Sequence, residues 1–260
     1  MQRTLINILP PPLLLLTLMI TMSCVAILIF FATKKFFLPQ KEKKSRQFLA
    51  YLIGLIMGNY TILVGFLIIS LWQNYQNAKL IVVTESNHLA LMTYDAFALP
   101  PAIQNKLLDK TGHYIHHLID YEWPAMKWGE SSPITNILIH NFFTTLASFT
   151  PQTEIEKTFY QDFLQHLNGA LENRRLRLYR VDNQIEAPLL FILIFGILLN
   201  AFLISLLHSK NKYVHIFTII TATSVLSFKV GLTLLLDFPF SGRMGVSSSP
   251  FKENILSRYQ

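Results

Sequence analysis

Four long apolar runs, two near each end of the chain, constrain the fold more than any other feature. They cover residues 13–32, 48–72, 187–207 and 215–236. Each run is long enough to cross a hydrocarbon core, which takes about 20 helical residues. Lys229 is the one Lys, Arg, Asp or Glu within them, whereas a soluble helix carries charge on its water-facing side. The pattern therefore predicts an all-α integral membrane protein.

The composition argues against a soluble protein. Only 14% of the 260 residues are charged, compared with about 25% in a typical soluble domain. The formal net charge is +7, but the basic residues lie mainly beside the apolar runs. We therefore expect the lipid bilayer, and not nucleic acid, to be the partner of these charges. The single cysteine, Cys24, excludes an internal disulfide and a cysteine-based metal cluster.

The first apolar run has a second interpretation as a secretory signal. A short basic start precedes it, and Thr21-Met-Ser-Cys24 resembles a lipoprotein cleavage site. However, Thr21 stands where an aliphatic residue is usual, and the apolar run continues to Phe31. We therefore expect this run to be retained as a transmembrane helix.

The segment between the second and third runs predicts a bundle of amphipathic helices. The second helix is expected to continue beyond the membrane until Pro100 and Pro101 stop it. A further helix is interrupted near Pro124 and Gly129, and two more begin at Ser132-Pro133 and Thr150-Pro151. Their apolar stripes are expected to pack against one another. The stripe on the second helix consists of Leu80, Val83, His88, Leu91 and Tyr94.

The predicted fold is thus four transmembrane helices with an amphipathic helical bundle inserted between the second and third. The expected segments are a first transmembrane helix with a basic loop (1–47), a second transmembrane helix (48–72), an extramembrane bundle (73–186), the third and fourth transmembrane helices (187–236), and a boundary turn with a tail (237–260).

Basic residues give conflicting signals about which side of the membrane holds the bundle. Lys41, Lys43, Lys44, Arg46, Lys210 and Lys212 lie in the two short loops, and they place the bundle outside the cytoplasm. The basic stretch 174–180, close before the third transmembrane helix, favours a cytoplasmic bundle instead. The orientation stays open.

Polar groups in the predicted transmembrane helices each have two interpretations. Gly54 and Gly58 have the spacing of closely packed membrane helices, and Asn59 beside them is costly in lipid. These residues indicate either ordinary helix packing or a pore lining. Lys229 either extends its amine toward the helix end at Asp237 or faces an aqueous path that attracts anions.

The predicted bundle holds two candidate polar sites. His113 and His117 share a helix face and could donate two ligands to a metal, or they form a solvated row; no second cluster supports a metal site. Glu122-Trp123-Pro124 predicts either a plain helix corner or a buried ion pair with an arginine of the stretch 174–177.

Enzymatic activity has no positive support in the sequence. There is no glycine-rich phosphate loop, no nucleophile elbow and no pair of acids on a recognisable catalytic turn. We therefore expect no catalytic residues, and we predict no cofactor.

A spaced set of residues resembles the bacterial bestrophin-like membrane family, a domain of unknown function. The resemblance extends from about Ile53 to Phe251, with Phe238 where a basic residue is expected. The Glu-Trp-Pro and Asp-x-Pro-Phe-x-Gly elements are specific only in combination. The matching residues are Glu85, Pro100, Tyr114, Glu122, Trp123, Pro124, Gly129, Arg174, Arg177, Asp237, Pro239, Phe240, Gly242, Val246, Pro250 and Phe251.

The resemblance implies a function, because bestrophins are pentameric ion channels whose second membrane helix lines the pore. It implies a homo-oligomeric channel of five copies in the bacterial inner membrane, with a cytosolic bundle. Gly54, Gly58 and Asn59 then become pore candidates, and Lys229 is a further pore candidate if it faces an aqueous path. The alternative is a membrane-anchored sensor or interaction module without transport activity. A closed ring in mild detergent would favour the channel.

Overall fold

The computed structural model describes residues 2–36, 43–182, 185–207 and 211–259, with side chains from residue 47 onward in the second range. Throughout these ranges the chain is helical and contains no strand, so the all-α prediction is confirmed. The elements are α1 (Gln2–Ile8), α2 (Pro11–Phe36), α3 (Lys43–Phe97), α4 (Pro101–His117), a π-helical turn (Leu118–Glu122), α5 (Trp123–Lys127), α6 (Pro133–Ala147), α7 (Glu154–Tyr179), α8 (Ala187–Leu206), α9 (Lys212–Leu236) and two 3₁₀ helices (Ser249–Lys252 and Asn254–Tyr259).

The chain forms two compact units. Unit 1 consists of Met1–Gln73 and Asn183–Phe238, and unit 2 consists of Asn74–Asp182 and Pro239–Gln260. Within the described residues, α2, α3 from Gln47, α8 and α9 are long and apolar enough to cross a membrane. The prediction of several long apolar helices is therefore confirmed, while the predicted domain boundaries stay predictions.

Unit 1 is a bundle in which α2 contacts both α8 and α9, and α8 contacts α9. Its interior contains two apolar clusters. The first includes Ala26, Phe30, Ile53, Ala201, Ile204 and Ile219. The second includes Tyr60, Val64, Leu193, Ile197, Leu226 and Val230. Because α2, α3, α8 and α9 all contribute to these clusters, the four helices share one core in unit 1.

A close contact in unit 1 joins α3 to α8 at Gly196. The Tyr60 hydroxyl donates a hydrogen bond to the Leu193 carbonyl at 2.6 Å. This bond holds the tyrosine ring against Gly196, where any β-carbon would overlap the ring atoms. Gly196 is therefore required because the ring lies where a side chain would begin.

Unit 2 buries a face of α3 that the sequence analysis did not identify. Ala78, Val82, Leu89, Met92 and Ala96 are buried at three- and four-residue spacing and pack with α4, α6 and α7 around one core.

Four residues of the predicted stripe on α3, Leu80, Val83, Leu91 and Tyr94, lie on the opposite, exposed side, so their burial in the bundle is a wrong prediction. Leu80 is 63% exposed and Tyr94 is 55% exposed. The fifth, His88, is partly buried beside His166 of α7. The error arose because the buried face combines Val82, Leu89 and Met92 with small alanines and the charged Glu85, while other large apolar residues point outward.

The helix predicted to be interrupted near Pro124 and Gly129 continues past Pro124, because the chain stays helical from Pro101 to Lys127 with a π-helical turn between two α-helical stretches. A π-helical turn precedes the proline, and within it the Trp123 amide donates to the Leu118 carbonyl five residues back. Such a turn accommodates one extra residue in the helix without ending it. The helix stops instead at Gly129, as predicted, where φ is 89°. The amides of Gly129 and Glu130 donate to the carbonyls of Met126 and Ala125 and close a Schellman motif.

The starts of the next two helices follow ordinary capping rules. α6 begins at Pro133, as predicted. α7 begins at Glu154, three residues after Pro151, because Thr153 caps it together with Glu156 in a capping box. The basic loop residues Lys41 and Lys210 lie outside the described residues, as do the side chains of Lys43, Lys44 and Arg46.

Replacing Gly196 by alanine should destabilise unit 1, because the new methyl group overlaps the fixed ring of Tyr60. We expect the free energy of unfolding to fall by about 1–3 kcal/mol, as for other overpacked cores, measured in detergent. The double variant Gly196→Ala with Tyr60→Leu should lose less than the sum of the two single variants. Additive losses would show that the two residues are not in contact.

Candidate functional site

A fully buried arginine, Arg177, lies at the centre of the polar interior of unit 2. Its Nε donates to Glu85 Oε2 at 2.6 Å, and its Nη2 donates to Glu85 Oε1 at 2.9 Å. The same Nη2 also donates to Glu122 Oε1 at 2.9 Å. One guanidinium therefore binds two carboxylates, and all three side chains are inaccessible to solvent.

Arg174 completes the network from the neighbouring turn of α7. Its Nε and Nη2 donate to the two oxygens of Glu122 at 3.0 and 2.6 Å, which is a bidentate pairing. Its Nη1 donates to Asn136 Oδ1 at 3.1 Å. The hypothesis that Glu122 forms a buried ion pair with an arginine of the stretch 174–177 is thus confirmed, and the alternative of a plain corner is wrong.

Four helical segments supply these side chains. Glu85 comes from α3, Tyr114 from α4 and Glu122 from the π-helical turn, while Arg174 and Arg177 share one face of α7 because they are three residues apart. The Tyr114 hydroxyl donates to Glu85 Oε1 at 3.4 Å. Because the buried carboxylates and guanidinium groups must stay in contact, they fix the mutual register of these segments.

Trp123 connects the network to the turn that follows Pro239. The Arg177 guanidinium lies 5.2 Å from the centre of the indole ring, within the range of a cation–π contact. The other side of the indole meets Phe240 and Phe251 edge to face. Its Nε1 donates to the Val246 carbonyl at 3.3 Å. One aromatic side chain thus anchors two segments of the C-terminal part of unit 2.

The turn itself is held by its backbone. The Val246 amide donates to the Pro239 carbonyl at 2.8 Å. Gly242 has a φ of 68°, a left-handed conformation that favours glycine. A β-carbon on Gly245 would lie 3.0 Å from the Phe240 carbonyl group. Pro239, Phe240 and Gly242 therefore shape the surface that receives Trp123.

The electrostatic environment affects the two carboxylates in opposite directions: burial raises the pKa of Glu85 despite the charge and the hydrogen bond of Arg177, whereas the pKa of Glu122 is lowered. Burial alone would raise the pKa of Glu122, but the hydrogen bond from Arg174 and the charges of Arg177 and Arg174 outweigh burial and hold this pKa below its ordinary value. Burial alone would lower the pKa of Arg177, but the charge of Glu85 raises it above the ordinary value. Burial, reinforced by the charge of Glu85, raises the pKa of Tyr114. Tyr114 is therefore a neutral donor at neutral pH.

The chemistry open to this network is structural. Two carboxylates and two guanidinium groups balance in charge, and their hydrogen bonds are directed at one another. Glu85, Glu122 and Arg177 have no exposed surface, and Arg174 is buried as well. A solvent-borne ligand therefore has no access to the charged atoms. The network locks the helices of unit 2 together.

The remaining residues of the predicted motif have separate positions. Pro124 faces solvent on the outer side of its helix, and Gly129 ends that helix. Asp237 belongs to unit 1, where its Oδ1 accepts a hydrogen bond from the Ile185 amide at 2.7 Å. Asp237 thus ties the start of α8 to the end of α9.

The pore candidates on α3 are exposed in the single chain. Gly54, Gly58 and Asn59 all lie on the surface of unit 1. A β-carbon on Gly54 or Gly58 would meet no described atom within 4 Å, so close helix packing at these glycines is not found inside one copy. Lys229 is half-buried on α9 and forms no ion pair with a described residue, Asp237 included. Its assignment as a pore residue stays a prediction.

The two candidate metal-binding histidines have separate partners. His113 Nε2 lies 3.5 Å from Asp109 Oδ1 on the exposed surface. His117 Nε2 lies 2.8 Å from Ser132 Oγ, and its ring stacks on Tyr121. Nowhere in the part of the chain that the structure describes do three His, Cys, Asp or Glu residues form a group suited to a metal ion.

Sequence reasoning missed two participants in the network. Asn136 binds Arg174, and the Met126 sulfur accepts a hydrogen bond from Arg177 Nη1 at 2.7 Å. Asn136 follows Thr135 near the start of α6, and Met126 resembles any other apolar core residue. Neither residue carries a pattern that identifies it without coordinates.

Removing the charge of Glu122 should be strongly destabilising. Glu122→Gln leaves Arg174 and Arg177 without one of their carboxylates, and breaking a buried pair costs about 3–5 kcal/mol. We expect this loss in the free energy of unfolding at neutral pH. Because the hydrogen bond from Arg174 and the charges of Arg177 and Arg174 hold the folded-state pKa of Glu122 below its ordinary value, its contribution is present above the ordinary pKa and is lost as the pH falls through the folded-state pKa.

The matched control is Glu154→Gln, since Glu154 forms an exposed ion pair with Lys157 at 2.6 Å. Exposed pairs contribute little, so this variant should unfold like the wild type. Equal stability of the two variants would contradict the structural role of the buried network.

Comparison with known protein families gives a match over most of the chain. No curated protein and no solved structure matches the chain. The family model of the Bestrophin-like domain matches residues 11–251, a range that includes the whole buried network and the turn around Gly242. The protein is therefore a membrane protein that belongs to the bestrophin-like family.

Proposed function

We propose that this protein is a homo-oligomeric ion channel of a bacterial inner membrane, lined by the exposed face of α3 in unit 1. In this proposal α2, α3, α8 and α9 cross the bilayer, and the helices between the second and third crossings form a bundle in water. Family membership supports a channel over an enzyme. Five copies are the number that the resemblance to bestrophins implies.

The observation that carries the proposal is the exposed Asn59 at membrane depth. Asn59 lies on a helix that is long and apolar enough to span a bilayer, and its side chain is exposed in the single chain. A polar side chain facing hydrocarbon is costly, whereas one facing a water-filled path is not. Assembly of several copies around Asn59 would provide such a path.

The exposed residues of α3 divide into two faces. At 100° per residue, Leu63, Phe66, Ser70 and Gln73 lie within about 40° of the direction of Asn59, and all four are exposed. From Asn59 to Gln73, four of the five residues on this face are thus either polar or aromatic, while Phe48, Leu52 and Leu55 occupy the same face before Asn59. We assign this face to the conduction path.

Gly54 and Gly58 lie about 100–140° from Asn59, on the neighbouring flank of the same helix. The buried residues Ile53, Tyr60 and Val64 occupy the third side. The open space beside the two glycines allows another helix to approach closely. We assign this flank to the contact with the next copy, which is the arrangement that closes a ring.

A second candidate function is a membrane-anchored interaction module. The exposed apolar stripe of unit 2 favours it, because Leu80, Val83, Leu91 and Tyr94 together form a surface that a partner protein could cover. This candidate function predicts a monomer or simple dimer without ion flux. Measuring the mass of the assembly and the ion flux therefore distinguishes the interaction module from the channel.

The test combines assembly with transport. Protein purified in mild detergent should form a closed ring by mass measurement, and liposomes containing it should release chloride or potassium. Asn59→Trp should reduce this flux strongly while the ring persists, because the larger side chain narrows the path. The control Phe217→Trp changes a 70% exposed residue of α9 and should leave the flux unchanged.

Absence of flux from correctly assembled wild-type protein would contradict the channel. Equal flux from the wild type and Asn59→Trp would remove Asn59 from the path. A monomer without flux would favour the interaction module.

A further inference from the structure

The interior of unit 1 contains a set of polar side chains between its two apolar clusters. Ser23 on α2 lies between residues of the two clusters, and so do Asn200 on α8 and Thr223 and Ser224 on α9. The Ser23 and Ser224 hydroxyls are 3.1 Å apart and form a hydrogen bond. Ser227, one helical turn after Thr223, is fully buried.

Three atoms of this set have no hydrogen-bond partner among the described residues. They are Asn200 Oδ1, Thr223 Oγ1 and Ser227 Oγ, and their residues are at most 2% exposed. A buried polar atom without a partner is costly, so such atoms usually bind water or an ion.

The hydroxyls of Thr223 and Ser227 differ from other hydroxyls of α9 in their hydrogen bonding. Thr218 and Thr233 each donate to the carbonyl four residues back, at 2.9 and 2.8 Å. Thr223 and Ser227 do not make this common helical bond. They are four residues apart and therefore share one face of α9.

The register of α8 against α9 places Asn200 at the same level. His215 Nε2 lies 3.0 Å from the Ile204 carbonyl, so in this antiparallel pair Gly196 lies opposite Thr223. The Asn200 amide donates to the Gly196 carbonyl at 2.8 Å, which directs the side chain of Asn200 toward that level. Its Oδ1 is then an acceptor beside two hydroxyl donors.

We infer that α8 and α9 bind at least one ordered water molecule at Asn200, Thr223 and Ser227. A water that accepts from the two hydroxyls and donates to Asn200 Oδ1 makes three hydrogen bonds, which is typical of buried water. Water fits better than a cation because none of the three groups is charged. The water would join α8 to α9 within the interior of unit 1.

The direction in which isosteric variants change the melting temperature distinguishes bound water from unpaired polar atoms. If water bridges the groups, Thr223→Val and Ser227→Ala should each lower the melting temperature of the full chain in detergent. The double variant should lose less than the sum, because both changes remove the same water. Asn200→Leu combined with Thr223→Val should show the same non-additivity.

The control is Thr233→Val, whose buried hydroxyl already bonds to its own helix, and it should shift the melting temperature less. A raised melting temperature in Thr223→Val and Ser227→Ala would overturn the inference, because apolar replacement of unpaired groups stabilises. Additive losses would also overturn it. A melting temperature that depends on whether sodium, potassium or choline is present would indicate a cation and equally overturn the bound water.

Discussion

Burial of the Arg177 guanidinium is the constraint on which the rest of unit 2 depends. A buried cation is tolerated only with carboxylates and further hydrogen bonds around it. Glu85 and Glu122 provide the carboxylates, and Arg174 balances the second negative charge. These partners come from α3, the π-helical turn and α7, so the network dictates where the segments meet. Trp123 then extends the same constraint to the turn at Phe240.

Unit 1 is organised differently, because its interior consists of two apolar clusters with polar side chains among them. Three of its polar side chains have distinct environments: Tyr60 is bound to Leu193, Asn200 faces the interior, and Asn59 faces outward. In a bilayer, the exposed side-chain amide of Asn59 is costly unless it contacts another copy of the protein or water. The three sides of α3 thus have separate tasks in the proposed channel: packing within the chain, contact between copies and lining of the path.

The sequence was sufficient for features that depend on length or hydropathy. The apolar runs predicted the long helices, and Gly129 predicted a helix end. The resemblance drew attention to Glu122, Arg174 and Arg177. Other features depend on three-dimensional packing and carry no local signal. The π-helical turn before Pro124 follows from the need to continue a helix through a proline. The buried face of α3 was hidden because small alanines and a glutamate occupy it, and Met126 looks like any core residue.

Thiol accessibility at position 59 tests the central claim, that α3 lines a water-filled path, most directly. Cys24 is the single cysteine, so Cys24→Ser gives a cysteine-free background into which Asn59→Cys is introduced. A membrane-impermeant, cationic thiol reagent should then react quickly and block ion flux through the assembled protein in liposomes, while the background variant is unaffected. The account is contradicted if position 59 reacts only with a membrane-soluble reagent, or if its modification leaves the flux unchanged.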